Sequence, residues 1–311
     1  MTSFASEKHM VSINMITYNH EPFIAQAIEG VLMQETNFSI ELVIGEDFST
    51  DSTRKICEDY AIKYSDIIRL LPSEQNLGML QNGIRTLREC KGKYIALLDG
   101  DDYWTDPLKL QKQVDFLEMN LDYVIHSGSA KILYAKEDVS EVVLGNTSVK
   151  TDFVVEDFYT QNNLVTCTVL FRNIVKSYPD SFSTITFGDW FLYVILLHKS
   201  KSKVFVSNTV FSVYRVHEAG VMKQLSQIEN IDAHFQQIKI MQEYIGYKKK
   251  SPQDIKNINT YFKNKLILFL KNDLYVKGFK SFILNIRYCG FHTNLRSYIK
   301  LSLKHMIKHR V

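Results

Sequence analysis

The sequence predicts an α/β fold: a mostly parallel, doubly wound sheet with flanking helices, continued by a helical and strongly basic tail. Three observations carry the prediction. Short apolar runs alternate with amphipathic helical patterns over residues 11–134, joined by short connections, which is the signature of parallel crossover units. Acidic residues close two of the apolar runs, and in such sheets ligands sit beyond the carboxyl ends of the strands. From Gln224 the pattern is helical, and from Lys248 the last 64 residues hold 15 Lys/Arg against only Asp254 and Asp273.

The first strand spans 11–18 (VSINMITY). It leads through Asn19-His20-Glu21-Pro22 into a helix whose Ile24, Ala27, Ile28, Val31 and Leu32 share a face, and Pro22 suits a first turn, where a missing N–H costs nothing. Residues 40–44 form the second strand and end in Gly45-Glu46-Asp47-Phe48-Ser49-Thr50-Asp51; a helix over 52–64 follows, with Ser49 or Asp51 able to cap it. The third strand is 67–71 and a helix covers 82–90. The fourth strand, 94–98 (YIALL), ends in Asp99-Gly100-Asp101-Asp102. Residues 107–119 are helical, and 123–127 and 130–134 make two further strands. The middle is less regular: 140–157 is polar and strand-poor, 164–171 reads as one strand, and eight consecutive apolar residues after Asp189 make a buried helix with that carboxylate near its start. A strand over 204–213 closes on Tyr214-Arg215-Val216-His217-Glu218.

Composition bounds the classes of function. With 311 residues, 45% hydrophobic and 23% charged, the chain can bury a large core and is neither disordered nor fibrous. Cys57, Cys90, Cys167 and Cys289 lie far apart with no C-x-x-C pair, so neither a zinc knuckle nor a disulfide framework is expected and a reducing compartment fits. The opening MTSFASEKHM lacks the apolar core of a signal peptide, and no run approaches the roughly 18 apolar residues of a membrane span, so a cytoplasmic location is expected. The net charge of +3 conceals about −10 in residues 1–247 and +13 beyond them. Such a tail favours a polyanion. Its apolar residues recur at helical spacing (Phe262, Leu266, Phe269, Leu270; Phe279, Phe282, Ile283, Ile286; Leu295, Tyr298, Ile299, Leu303, Met306), which suits an anionic membrane surface at the inner face, though packing on the main domain gives the same stripes. With no nucleic-acid-binding motif, nucleic acid is not expected as a partner.

The acidic strand ends are the chemical signal. Two carboxylates about 4 Å apart repel by roughly 4 kcal/mol at an effective dielectric of 20, so a cation, a raised pKa or separation must offset them. A hard divalent ion shared with a phosphate is the economical solution, because Mg²⁺ and Mn²⁺ are commonly held by one or two carboxylates plus substrate phosphates. The plain alternative is a polar turn capping the helix that begins at Pro107.

VSINMITYNHEPFIAQAIEGVLMQ, IELVIGEDFSTDST, NLG and GKYIALLDGDDYWTDPLKLQKQVDFL, in that order, resemble the nucleotide-binding half of the inverting family 2 glycosyltransferases of bacterial surface polysaccharides, which carry the GT-A fold. GDWFLYVILL and VYRVHE are similar to that family's acceptor half. The resemblance covers roughly residues 10–220. It implies a catalytic domain over 1–223, its nucleotide half about 10–128 and its acceptor half about 129–223, and leaves 224–311 as a helical, basic region.

By resemblance, Thr17, Tyr18 and Asn19 line the nucleobase pocket, Glu46 and Asp47 stand where the family shows Asp-Asp, and Asp47 accepts a hydrogen bond from the base. Asn76 and Gly78 belong to the nucleotide site; Asp99 lies near ribose, with Gly100 beside it; Asp101 holds Mn²⁺ or Mg²⁺ on the diphosphate. His217 assists at the metal, Asp102 and Trp190 face the donor sugar, and Asp189 is the general base, with a plain helix cap as the alternative for Asp189, while as a bare residue Trp190 reads as packing. The family's basic residue after NLG is missing, leaving Arg85 or Arg88 to substitute. The implied reaction is inverting transfer of a hexosyl group from a UDP-sugar to a glycan or lipid-linked hydroxyl. A sugar nucleotidyltransferase is the alternative enzyme, though ITYNHEP has neither the Gly nor the Lys of a phosphate-cradling loop, and a non-catalytic nucleotide- or glycan-binding module is the third reading.

Overall fold

The computed structural model describes residues 9–134, 139–145, 150–218, 220, 226–247, 251–272 and 274–290. It divides into two compact units. The first comprises Met1–Phe158, Asn162–Thr184 and Gly188–Glu218. Its strands are β1 (Val11–Thr17), β2 (Ile40–Glu46), β3 (Ile68–Leu70), β4 (Tyr94–Leu97), β5 (Tyr103–Trp104), β6 (Tyr123–Tyr134), β7 (Val139–Leu144), β8 (Asp152–Phe153), β9 (Leu170–Arg172) and β10 (Lys203–Val216). Its helices are α1 (Ile24–Leu32), α2 (Thr53–Lys63), α3 (Met79–Glu89), α4 (Lys109–Met119) and α5 (Gly188–Ser200).

The strands form one sheet ordered β3-β2-β1-β4-β9-β6-β10-β5, with β7 paired to β6 and β8 to β10. The predicted parallel arrangement holds from β3 to β4. Beyond β4 the sheet is mixed: β9 runs antiparallel to both β4 and β6, whereas β6 and β10 are parallel. The apolar runs of β1, β2 and β4 are buried because helices cover them, and Val11, Ile13, Met15, Leu42, Ile44 and Ala96 join Ile24, Ala27, Ile28 and Val31 of α1 in one core. In α5 every residue from Trp190 to Leu197 is buried, as an all-round apolar helix requires.

Three local readings differ from the structure. Residues 123–134 form a single strand, because the small Ser127-Gly128-Ser129 are buried and Thr168 bonds to Ser127 and Gly128 through its hydroxyl. The 164–171 run is a 3-10 turn over Thr166–Thr168 followed by β9. The polar 140–157 stretch contains β7 and β8, each of which pairs along one side only; such edge strands tolerate polar residues.

The second unit groups Tyr159–Gln161, Ile185–Phe187 and Ala219–Val311. It contains α6 (Gln227–Tyr244), α7 (Pro252–Lys271) and α8 (Tyr275–Cys289). Capping boxes start α6 (Ser226 with Glu229) and α7 (Ser251 with Asp254). The predicted stripe Phe262, Leu266, Phe269 and Leu270 is buried, with Ile258, Phe262, Leu266, Leu270 and Cys289 forming a core. Of the second stripe, Phe279 and Ile286 are exposed and Phe282 packs on that core. The third stripe lies outside the described residues. All four cysteines are buried, and none is in a disulfide.

Candidate active site

Parallel pairing sets three strand ends level. Thr17 at the end of β1 is in register with Glu46 of β2, and the β1–β4 register, continued three residues, brings Gly100 beside it. The backbone confirms this: Asp47 N donates to Thr17 O at 3.0 Å and Gly100 N to Ile16 O at 2.9 Å. A Cβ on Gly100 would stand 2.6 Å from Thr17 Oγ1 and 2.7 Å from Thr17 Cβ, which explains glycine between Asp99 and Asp101. Gly45 is equally constrained, since its Cβ would lie 1.9 Å from Thr86 Oγ1.

The loops after β1 and β2 are stitched together. Asn19 N donates to Ser49 Oγ at 3.0 Å, Thr50 N to Asn19 Oδ1 at 2.8 Å, Glu21 N to Asp51 Oδ2 at 3.1 Å, and Ser52 N to Glu21 Oε2 at 2.9 Å. Asn19 is therefore a loop fastener, while Tyr18 next to it is 43% exposed. Asn19 and Phe48 both adopt positive φ, at 54° and 59°. For a bulky residue such as Phe48 that conformation is strained, and strain of this kind gathers at functional loops. Asp51 accepts from Thr53 N at 2.9 Å and so holds the start of α2, as read from the sequence.

Glu46 is fully buried: Oε1 accepts from Ser49 N at 2.6 Å and Oε2 pairs with Arg54 at 3.3 Å. Its carboxylate is thus committed to the protein. Asp47 keeps one oxygen on Leu77 N at 2.8 Å, and Asn76 Nδ2 donates to its carbonyl at 3.0 Å. Gly78, at φ 79°, closes this wrapping loop. Arg85 reaches the same turn, donating to the carbonyls of Glu46 and Pro72 and to Asn82 Oδ1. Arg88 is exposed, and its described contact is to Lys91 through its carbonyl. Of the two arginines offered for the missing basic residue, Arg85 is the one whose guanidinium bonds to this turn.

At the end of β4 the three aspartates diverge. Asp101 Oδ2 lies 2.9 Å from His217 Nε2 and 3.9 Å from His20 Nε2; ligand-capable atoms of the three residues all lie within 4.8 Å of one another. Burial works against the Asp101 charge, but the His217 hydrogen bond and the two imidazoles prevail and hold its carboxyl below the usual range. Burial holds His20 below its ordinary value despite the pull of Asp101, favouring the neutral imidazole that a metal binds. Asp99 is pushed up to about 8 by burial and then by the negative charges of Asp101 and Asp189. Asp189 thus lies near enough for its charge to act on Asp99.

Asp102 is 3% exposed and accepts from Arg215 N at 2.8 Å, and burial pushes its carboxyl well above the usual range. This corrects its expected place beside a sugar: it anchors the end of β10 from beneath. The Arg215 guanidinium bonds to Asp101 O and Gln26 Oε1 and covers the Tyr103 ring at 4.5 Å, so one residue ties β10, α1 and the acidic turn together. Trp190 is likewise corrected, being 1% exposed with its Nε1 donating to Phe158 O at 2.8 Å; it packs, and no ring face is free for a donor sugar. Its neighbour Asp189 is half-buried, with Oδ2 accepting from Thr166 Oγ1 at 2.6 Å and Asn162 Nδ2 at 3.1 Å. Those bonds to an exposed-side loop and turn aim the carboxylate instead of spending it on the helix start.

Sequence reasoning missed His20, Arg215, Thr166 and Asn162. His20 carried a signal, since it stands in the turn directly after an apolar strand, where ligands collect. Arg215 stood in the VYRVHE run without a role, and Thr166 and Asn162, which act across long sequence separations, carried none.

The Glycosyl transferase family 2 model matches residues 12–175. An uncharacterized protein of Mycobacterium tuberculosis is 32% identical over 211 residues, which is 68% of this chain and 60% of that protein, so the chain spans about three fifths of the length of this mycobacterial relative. UDP-Glc:alpha-D-GlcNAc-diphosphoundecaprenol beta-1,3-glucosyltransferase WfaP of Escherichia coli is 32% identical over 229 residues, 71% of this chain and 85% of that one. Among solved structures, mannosyltransferase PcManGT of Pyrobaculum calidifontis, in complex with GDP-Man and Mn²⁺, superposes with a TM-score of 0.55 at 15% identity, covering 96% of this chain and 87% of that chain.

Proposed function

Because the chain belongs to glycosyl transferase family 2, we propose that it transfers a hexosyl group, with inversion, from a UDP-sugar to a hydroxyl of a glycan or lipid-linked acceptor at the inner membrane face. The observation that carries this reading is the meeting of His20, Asp101 and His217 at the end of β4, with Asp189 near enough for its charge to act on Asp99. Two imidazoles and a carboxylate suit a divalent ion such as Mn²⁺, and Mg²⁺ remains the second choice because it prefers oxygen ligands. Bound there, the ion would neutralise charge developing on the leaving diphosphate.

The protein's own residues supply the rest. Thr17, Asp47 and the 76–78 loop surround the site for the base, and Arg85 adds positive charge beside them. Asp189, aimed by Thr166 and Asn162, would take the proton of the attacking hydroxyl. A single positioned base without an enzyme nucleophile supports one displacement and hence inversion. The name of the E. coli relative supports a UDP-linked donor and a lipid diphosphate acceptor.

The test is donor turnover with Mn²⁺, using UDP-glucose, UDP-galactose and their N-acetyl forms. Release of UDP from one of them is expected. If none is bound or turned over, the donor class is wrong.

A further inference from the structure

Helix α8 is built inside out. Its fully buried residues are small or polar: Gly278, where a Cβ would lie 3.1 Å from Leu266 Cδ1, then Ser281, Asn285 and Cys289, 3%, 0% and 5% exposed, with Phe282 and Tyr288 partly buried against the α7 core beside them. Asn285 Nδ2 donates to Asn259 Oδ1 at 2.9 Å across that contact. Four large apolar residues face outward: Val276 is 70% exposed, Phe279 63%, Leu284 47% and Ile286 39%. Val276, Phe279, Ile283 and Ile286, spaced by three and four, form one strip, and exposed Lys277, Lys280 and Arg287 flank it. A helix facing only water would reverse this pattern. Small residues at a helix contact with apolar residues outside are the arrangement of helices set in lipid.

We infer that the outer face of α8 lies in the interface of an anionic bilayer, Phe279 and Ile286 entering the acyl boundary and Lys277, Lys280 and Arg287 meeting lipid phosphates. The charge pattern selects this occupant. The helix carries no acidic residue, and residues 291–311 add Arg296, Lys300, Lys304, Lys308 and Arg310, again with none. A second copy on the same face would bring like charges together, as a two-fold contact repeats one patch on both partners. No helix among the described residues is long and apolar enough to cross a membrane, so α8 would lie along the surface. The inference rests on the proposed lipid-linked acceptor only for the choice of leaflet.

The full chain should co-sediment with vesicles of phosphatidylcholine and phosphatidylglycerol, much less with phosphatidylcholine alone, and less as salt rises. With each basic residue contributing about fivefold near an anionic surface, K277Q/K280Q/R287Q should lower binding by roughly a hundredfold. F279S/I286S should lower it by about tenfold or more. All these positions are exposed, so both variants should keep the wild-type melting temperature and the same stabilisation by UDP with Mn²⁺. Undiminished vesicle binding by either variant overturns the inference, as does a dimer that F279S/I286S splits while vesicles bind neither form. Loss of UDP stabilisation in the wild type with vesicle binding intact would instead overturn the transfer reading alone.

Discussion

Replacing Lys109 with Met should abolish a specific pH dependence of stability. Lys109 is fully buried in α4; its ammonium donates to Gln113 Oε1 at 2.7 Å and sits 4.2 Å from the Trp104 ring centroid. Burial outweighs the pull of Cys167 and Asp106 and brings it from 10.5 down to about 7. That difference corresponds to about 5 kcal/mol against the charged form. Between pH 7 and 10.5 the unfolded chain holds a proton that the folded one has lost, so this group makes stability rise with pH across that window and contributes no slope below it. K109M removes the slope and also the Gln113 bond and the ring contact, each worth about 1 kcal/mol. The variant should therefore equal or exceed the wild type at pH 6 and fall below it at pH 10, a swing of about 4 kcal/mol. Urea unfolding of both proteins across this range reads the difference directly, and other titrating groups cancel between them. A constant difference at every pH would show that Lys109 does not titrate between pH 7 and 10.5 in the folded protein. The site has functional weight, because Gln113 Nε2 donates to Thr168 O and Trp104 Nε1 to Cys167 O, holding the turn that carries Thr166 and so the aim of Asp189.

Asp189→Asn should cut transfer by about 10²- to 10⁴-fold while UDP affinity by calorimetry stays near wild type; loss of binding would mean a structural role. Gly100→Ala forces a Cβ to within 2.6 Å of Thr17 and should lower stability by about 1–3 kcal/mol in thermal melts, with weaker nucleotide binding. Asp99→Asn should flatten a trend opposite to that of Lys109: with the folded acid at about 8 against 3.8 unfolded, the wild type loses stability as pH rises between those values, and the Asn variant should not.

The nucleotide half of the fold was legible because each apolar run there is buried by its own neighbours in sequence, so local pattern and tertiary role agree. The acceptor half was less so. β9 is short and antiparallel, inserted between β4 and β6 from far along the chain, and the apolar 164–171 run disclosed neither its true start nor its direction. At the site, Asp101 and His217 could be named from motif position, and the structure brings them within hydrogen-bond distance. Asp102 and Trp190 could not be placed correctly, because adjacency in sequence to a functional carboxylate says nothing about which way a side chain turns; both turn inward. Glu46 shows the same limit, its charge being absorbed by Arg54. The tail's stripes had the right period, yet only the contacts of α8 reveal which side of the helix is covered.

In the proposed reaction the Asp101 carboxylate and the His20 and His217 imidazoles, brought from separate strand ends, grip a cation together with a diphosphate. Mn²⁺ titration followed by electron paramagnetic resonance, with and without UDP, addresses it without any acceptor. Wild-type protein should bind the ion more tightly when UDP is present, and Asp101→Asn should weaken that binding by roughly tenfold or more. Equal Mn²⁺ binding by wild type and Asp101→Asn, or no response to UDP, would contradict the account.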